Sequence, residues 1–161
     1  MKTDNTLLQG DIIHLIETSL EEKEESPLNR NLQDYEAHLI SVGRGKGIAT
    51  YYKASIFKHE QDFRMTSMQI TKFSSENLDV INVYRSSNGN SAELLTKLLE
   101  IVNPAKSVLI TGDFNICFMT TPNNRMSKGL VKEGFTQLMQ DPTHIMGGHI
   151  DHVYWKDGNH L

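Results

Sequence analysis

The stretch Val108-Leu-Ile-Thr-Gly-Asp-Phe-Asn115 constrains this chain more than any other. Val108 to Thr111 is an unbroken apolar and β-branched run, which reads as a buried strand. Gly112 is expected to end that strand and let the backbone turn tightly. Asp113 and Asn115 then stand two residues apart at the strand's mouth. An acceptor-only carboxylate beside an amide that both donates and accepts suits phosphate chemistry around a hard cation. The same residues also make an ordinary Asx turn, so the rest of the chain has to choose between a site and a turn.

The chain's 161 residues allow one domain with a real core. A net charge of −4 supplies no basic field for a passive nucleic-acid-binding module. It leaves open an enzyme whose acidic site is filled by a metal ion. Cys117 is the single cysteine, so no intramolecular disulfide can form, and a reducing compartment fits. The start, Met1-Lys-Thr-Asp-Asn, carries no apolar signal core, and no apolar run reaches membrane-spanning length. The expectation is a soluble intracellular protein, nuclear or cytoplasmic, neither secreted nor bound to a membrane.

Residues 11–17 form a β-rich run in which Ile12, Ile13, Leu15 and Ile16 predict burial on both faces. The run ends in Glu17. A carboxylate there either emerges into water and caps the next segment, or is paired or bound to a cation. The charge run of residues 21–25 reads as solvated. Residues 37–41 and 48–53 predict two strands joined through Gly43-Arg-Gly-Lys-Gly47, a flexible hairpin connection in which Arg44 and Lys46 are minor candidates for touching a phosphate backbone. Residues 56–61 read as connector. Residues 65–73 and 78–84 read as strands flanking a turn at 74–77. Ser91 is the expected N-cap of a helix whose stripe is Leu94, Leu95, Leu98, Leu99 and Val102, and Pro104 stops it. The strand of the opening stretch comes next, and strand, helix, strand at this spacing predicts a crossover packed on a sheet. A short helix over 126–133 closed by Gly134, a short strand or turn at 135–139, and a strand over 149–155 complete the reading.

Glu17, Tyr84, Asp113, Asn115, Asp151 and His152 each lie near the end of an apolar run. In a layered α/β fold such positions converge on one rim of the sheets. A Glu and Asp pair suits Mg2+, which prefers oxygen ligands and keeps several waters. Asp113 is placed to orient or deprotonate an attacking water, and Asn115 to hydrogen-bond the phosphorus centre without adding negative charge. No clustered Cys/His spacing points to zinc.

Ile13-His-Leu-Ile-Glu17-Thr, Val83-Tyr84, Ile110-Thr-Gly-Asp113-Phe-Asn115 and Gly148-His-Ile-Asp151-His-Val, in that order, resemble the motifs of the endonuclease/exonuclease/phosphatase superfamily. That superfamily includes apurinic endonucleases, DNase I-like enzymes and the endonuclease domains of non-long-terminal-repeat retroelements, and the chain is most similar to the apurinic-endonuclease-like and retroelement branches. The resemblance implies a four-layer α/β sandwich of DNase I-like type. It implies Mg2+-dependent phosphodiester hydrolysis on nucleic acid, DNA foremost, with Mn2+ as the alternative ion. Glu17 would bind the metal, Asp113 would be the catalytic aspartate near the attacking water, and Tyr84 and Asn115 would meet the scissile phosphate. Asp151 would lie beside them with the catalytic set. His152, the next residue, need not be the catalytic histidine.

The superfamily pattern also has an Asn-bearing strand before the Glu strand and a terminal Ser-Asp-His motif. Neither Asn5 nor His160 matches these. Residues 1–161 are therefore expected to form a single partial domain with terminal strands missing, impaired in catalysis and open to a protein partner at its exposed sheet edges. The alternatives are a non-catalytic remnant that binds a metal or a protein, and a phosphatase of a small phosphorylated substrate.

Overall fold

The computed structural model describes residues 9–18, 34–41, 47–117, 119–121, 124–139, 141–143, 148 and 150–158. Strands β1 (Ile12–Ile16), β2 (Glu36–Ile40) and β3 (Ile48–Tyr52) make an antiparallel sheet in the order β1-β3-β2. Strands β4 (Lys58–Met65), β5 (Met68–Ser74) and β6 (Leu78–Arg85) lead into helix α1 (Ser91–Ile101) and strand β7 (Ser107–Asp113). Helix α2 (Arg125–Lys132), β8 (Thr136–Gln137) and β9 (Asp151–Lys156) come after them. This second sheet runs β4-β5-β6-β7-β9-β8, and its β6–β7 pair is parallel, as the crossover through α1 requires.

Alternation along the strands decides which layer each side chain enters. On one face of the larger sheet Met68, Ile70, Ile81, Val83, Val108 and Ile110 pack against Leu94 and Leu98 of α1 and Met126 and Leu130 of α2. On the other face Phe73 and Val80 meet Tyr52 and Phe57, and Tyr84 meets Ile40 and Ile48 of the smaller sheet. Three layers of the α/β sandwich are thus seen among the described residues: small sheet, large sheet, helices.

Several expectations need correcting. β1 is not buried on both faces: it is an edge strand, and Leu15 is 37% exposed. The fully buried strand of the small sheet is the central β3. Residues 56–61 are not a connector, because β4 begins at Lys58 and pairs along β5. Its sequence Lys-His-Glu-Gln-Asp-Phe-Arg-Met is polar because an edge strand can satisfy its ladder while most of its side chains face water. The run 65–73 is split by a turn at 66–67. Asn90, not Ser91, caps α1: its Oδ1 accepts from the N–H groups of Ala92 (3.0 Å) and Glu93 (3.2 Å). The other end of α1 has no basic residue in its last turn, and Lys72 of β5 serves instead. Its ammonium donates to the Ile101 carbonyl at 2.9 Å and pairs with buried Asp79 at 2.7 Å. Arg44, Lys46 and the charge run at 21–25 lie outside the described residues.

Candidate active site

Two strands bring the central pair of side chains together. Tyr84 and Asp113 are register partners in the parallel β6–β7 ladder, and Asp113 faces Asp151 across the antiparallel β7–β9 ladder. Gly112 does not end the strand, as was expected of it. It lies inside the ladder opposite Val83 with φ +139°, and a Cβ there would come within 1.9 Å of the Val83 carbonyl oxygen. Its role is close approach of β7 to β6. The turn belongs to Asn115, whose φ of 49° is left-handed, a conformation that Asn tolerates better than other side-chain-bearing residues.

Asn115 is bound into the site on every side. Its backbone N–H donates to Asp113 Oδ1 at 2.7 Å. Its Nδ2 donates to Asp113 Oδ2 at 3.1 Å and to the Arg85 carbonyl at 2.8 Å. Both amide protons are therefore taken, and the amide reaches a phosphate only by giving up one of these bonds. Burial raises the Asp113 carboxyl pKa from 3.8 to about 6. The bond from the Asn115 N–H opposes that rise, and the charges of Asp151 and Glu17 add to it.

Glu17 lies just past β1 with a left-handed φ of 55° and arrives from the smaller sheet. Tyr84 Oη donates to its Oε1 at 3.3 Å, so one hydrogen bond spans the two sheets at the site. Burial, and after it the Glu17 charge, pushes the Tyr84 phenol up. Asp151 is fixed at the start of β9, where Thr143 Oγ1 accepts from its N–H at 3.1 Å.

One supporting residue, Arg85, was not singled out in the sequence, and a second, His152, was grouped there with the strand-end candidates. Arg85 is buried, and its guanidinium donates to the carbonyls of Gly89 (2.9 Å), Phe114 (2.7 Å), Asn115 (3.3 Å) and Ser87 (3.4 Å). It clamps the loop after β6 to the loop after β7. A cation ending a buried strand is the signal that could have found it. The second is the relay through His152, which lies beneath the site. His152 is fully buried and stacks on Phe114 with centroids 4.8 Å apart. Its Nε2 lies 2.8 Å from the Ile116 carbonyl, which can only accept, so Nε2 carries the proton. Nδ1 then accepts from Tyr154 Oη at 3.0 Å, and Ser127 Oγ lies 3.0 Å from that same hydroxyl.

Glu17 and Asp151 are near enough for their charges to act on Asp113, and the guanidinium of Arg85, which also acts on it, is committed to carbonyls. Among the described residues these three carboxylates do not close into a tight cage. Three carboxylates offer the hard oxygen donors that a divalent cation takes, with room left for water.

The chain belongs to the endonuclease/exonuclease/phosphatase family, whose model matches residues 3–160. It is a family of nuclease- and phosphodiesterase-type hydrolases whose enzymes commonly use divalent metal ions. Among solved structures, the chain is similar to an AP endonuclease from Archaeoglobus fulgidus, with 15% identity and a TM-score of 0.65 over 94% of this chain and 78% of that one. It is also similar to D. rerio TDP2 complexed with a single-strand DNA product, with 14% identity and a TM-score of 0.64 over 98% and 75%. The human Nocturnin catalytic domain with bound sulfate aligns with 15% identity and a TM-score of 0.63 over 92% and 70%. At these identities the likeness establishes the fold, a DNase I-like α/β sandwich. No curated protein matches the chain in sequence. Among the described residues no helix is long and apolar enough to cross a membrane.

Proposed function

We propose that this chain is a divalent-metal-dependent phosphodiesterase acting on nucleic acid, DNA foremost. Mg2+ is the proposed ion, with Mn2+ able to replace it. The observation that carries the reading is the Asp113 carboxyl, held by both donors of Asn115 beside Tyr84 and facing Asp151. Its proton affinity is lifted by burial and by two neighbouring carboxylates. The AP endonuclease and the DNA-bound TDP2 share this fold, which supports DNA as the substrate.

Glu17 would hold the ion, with Asp113 and Asp151 contributing negative charge. Bound Mg2+ supplies neutralisation of the charge that develops on the phosphoryl oxygens. Asp113 orients the attacking water and accepts its proton. Asn115 fixes the Asp113 carboxyl in the orientation this needs. The Tyr84 hydroxyl has one proton, which it gives to Glu17 in the metal-free chain; with Glu17 turned to the ion, that proton would be given to the phosphate instead. The chain is acidic overall, with a net charge of −4. Attraction to a polyanion must therefore be local, through the ion.

The test is plasmid nicking by the purified chain with Mg2+, with EDTA, and with Asp113→Ala in Mg2+. The expected result is nicking with Mg2+ alone, at a rate on the order of 10² to 10⁴ above the variant. Equal rates for the chain and the variant would overturn the assignment.

A further inference from the structure

On strands other than those of Glu17, Tyr84 and Asp113, three metal-ligating side chains meet where the outer edges of the two sheets face each other. His38 comes from β2, an edge of the small sheet, and His59 and Asp62 come from β4, an edge of the large one. His38 Nε2 lies 3.0 Å and 2.9 Å from the two oxygens of Asp62, and His59 Nε2 lies 2.9 Å from Asp62 Oδ1. These ligand atoms all fall within 4.8 Å of one another.

The backbone of β4 is shaped to make this cluster. Residues three apart on a regular strand point to opposite faces. In β4 the pairing slips between His59 and Gln61, so that His59 pairs with Phe73 and Asp62 with Thr71. Glu60 is the extra residue of a β-bulge, and the bulge turns His59 and Asp62 to the same side. The two imidazoles then stack, with centroids 3.8 Å apart and planes at 26°. The Asp62 carboxylate can only accept, so both Nε2 atoms carry a proton here, and each proton must leave or move to Nδ1 when a metal ion takes the Nε2 lone pair.

We propose that His38, His59 and Asp62 bind a borderline transition-metal ion, Zn2+ above others, that clips the two sheets together at their open edge. Two imidazoles and one carboxylate suit Zn2+, and a hard ion such as Mg2+ would prefer oxygens alone. Zinc bonds of about 2.0–2.1 Å in tetrahedral geometry set ligand atoms roughly 3.3 Å apart. The present separations of 2.9–3.0 Å need to widen by a few tenths of an ångström. The side chains of His38 and His59 are 22% and 29% exposed, so an ion can enter and water can take the fourth position. Arg64 Nη2 donates to Asp62 Oδ2 at 2.8 Å and orients the carboxylate from outside. The histidines sit 21 residues apart by number on strands of different sheets, which is why sequence spacing gives no zinc signature.

Co2+ is the probe, added to the metal-free chain in the presence of excess Mg2+. The expected result is one saturable site with the visible absorption of four-coordinate Co2+, displaced by one equivalent of Zn2+. The same spectrum is expected in Asp113→Ala, which separates this site from the proposed catalytic one. It is expected to be absent in His59→Gln and in His38→Gln. Zn2+ is expected to raise the Tm of the unsubstituted chain and of Asp113→Ala, and not of the two histidine variants. No saturable Co2+ uptake, or an unchanged spectrum in either histidine variant, would overturn the proposal and leave a His–Asp–Arg ion pair.

Discussion

Asn115 gives Asp113 two hydrogen bonds, from its backbone N–H at 2.7 Å and from its side-chain amide at 3.1 Å. The left-handed backbone at Asn115 is what lets both reach the same carboxylate. Asn115→Gly separates the two contributions. Glycine accepts φ 49° and keeps the backbone bond, while the amide is lost. Nicking with Mg2+ is expected to fall by on the order of 10²-fold, with unfolding free energy lowered by about 1 kcal/mol because the Arg85 carbonyl and Asp113 Oδ2 each lose a donor. An unchanged rate would show that the side chain does not position Asp113.

Gly112 tests how closely β7 must approach β6. A Cβ at this position would sit 1.9 Å from the Val83 carbonyl oxygen, inside a ladder that holds Tyr84 and Asp113 in register. Neither strand can retreat without breaking that register. Gly112→Ala is expected to cost about 3 kcal/mol or more, read as a lower urea midpoint. A loss under about 1 kcal/mol would mean that the ladder yields there at little cost.

Arg85→Lys keeps the charge and removes the fork. Four carbonyls, on Ser87, Gly89, Phe114 and Asn115, share the guanidinium, and one ammonium cannot reach all of them. A drop of about 2–3 kcal/mol in unfolding free energy is expected, since buried acceptors lose charged donors. Mg2+-dependent nicking should fall with it, because the same clamp fixes Asn115. Stability equal to that of the unsubstituted chain would refute the clamp.

His152 stands next to Asp151, and its environment is structural. Its ring is sandwiched in the relay from Ser127 through Tyr154 to the Ile116 carbonyl, stacked on Phe114. His152→Ala removes a buried ring, strands the Ile116 carbonyl and leaves Tyr154 Oη with Ser127 alone, so a loss of about 3 kcal/mol is expected. Measured at low temperature on folded protein, nicking should stay within about tenfold. A fall of about 10⁴-fold in folded protein would make His152 a catalytic acid or base.

The strand-end residues stood out because a polar side chain at the end of an apolar run is a local signal. Glu17, Tyr84, Asp113 and Asn115 carry that signal, and the structure brings them together. Features that depend on three dimensions were not readable. Asn90 and Ser91 are both good caps, and backbone geometry chooses between them. β4 carries an edge strand's charges, so its pattern looks like loop. Gly112 reads as a turn until the neighbouring strand is present. Arg85 looks like any strand-end cation until its four carbonyls are in place. His38, His59 and Asp62 are gathered by a bulge and by two facing sheet edges, which no spacing along the chain encodes.

Asp113 carries a stability cost in the metal-free chain that can be titrated. Its pKa is raised from 3.8 to about 6, first by burial and then by Asp151 and Glu17, so the folded state holds the proton more tightly than the unfolded one. That stabilisation is complete below pH 4 and is lost as pH rises through about 6. At pH 7 the folded protein bears an ionised Asp113 that it tolerates poorly. Asp113→Asn removes the charge and keeps an oxygen to accept from the Asn115 N–H, while its own amide nitrogen faces Asn115 Nδ2 and that second bond is lost. Without metal, the variant is expected to be more stable than the unsubstituted chain at pH 7 by about 1–2 kcal/mol, after discounting for solvent screening. The advantage should shrink between pH 6 and pH 4. Saturating Mg2+ should reverse the order at pH 7, because it stabilises the carboxylate and gives the variant less to bind. Thermal unfolding at pH 4.5 and 7, with and without Mg2+, measures all four states. A variant less stable than the unsubstituted chain at pH 7 in EDTA would contradict the raised proton affinity of Asp113.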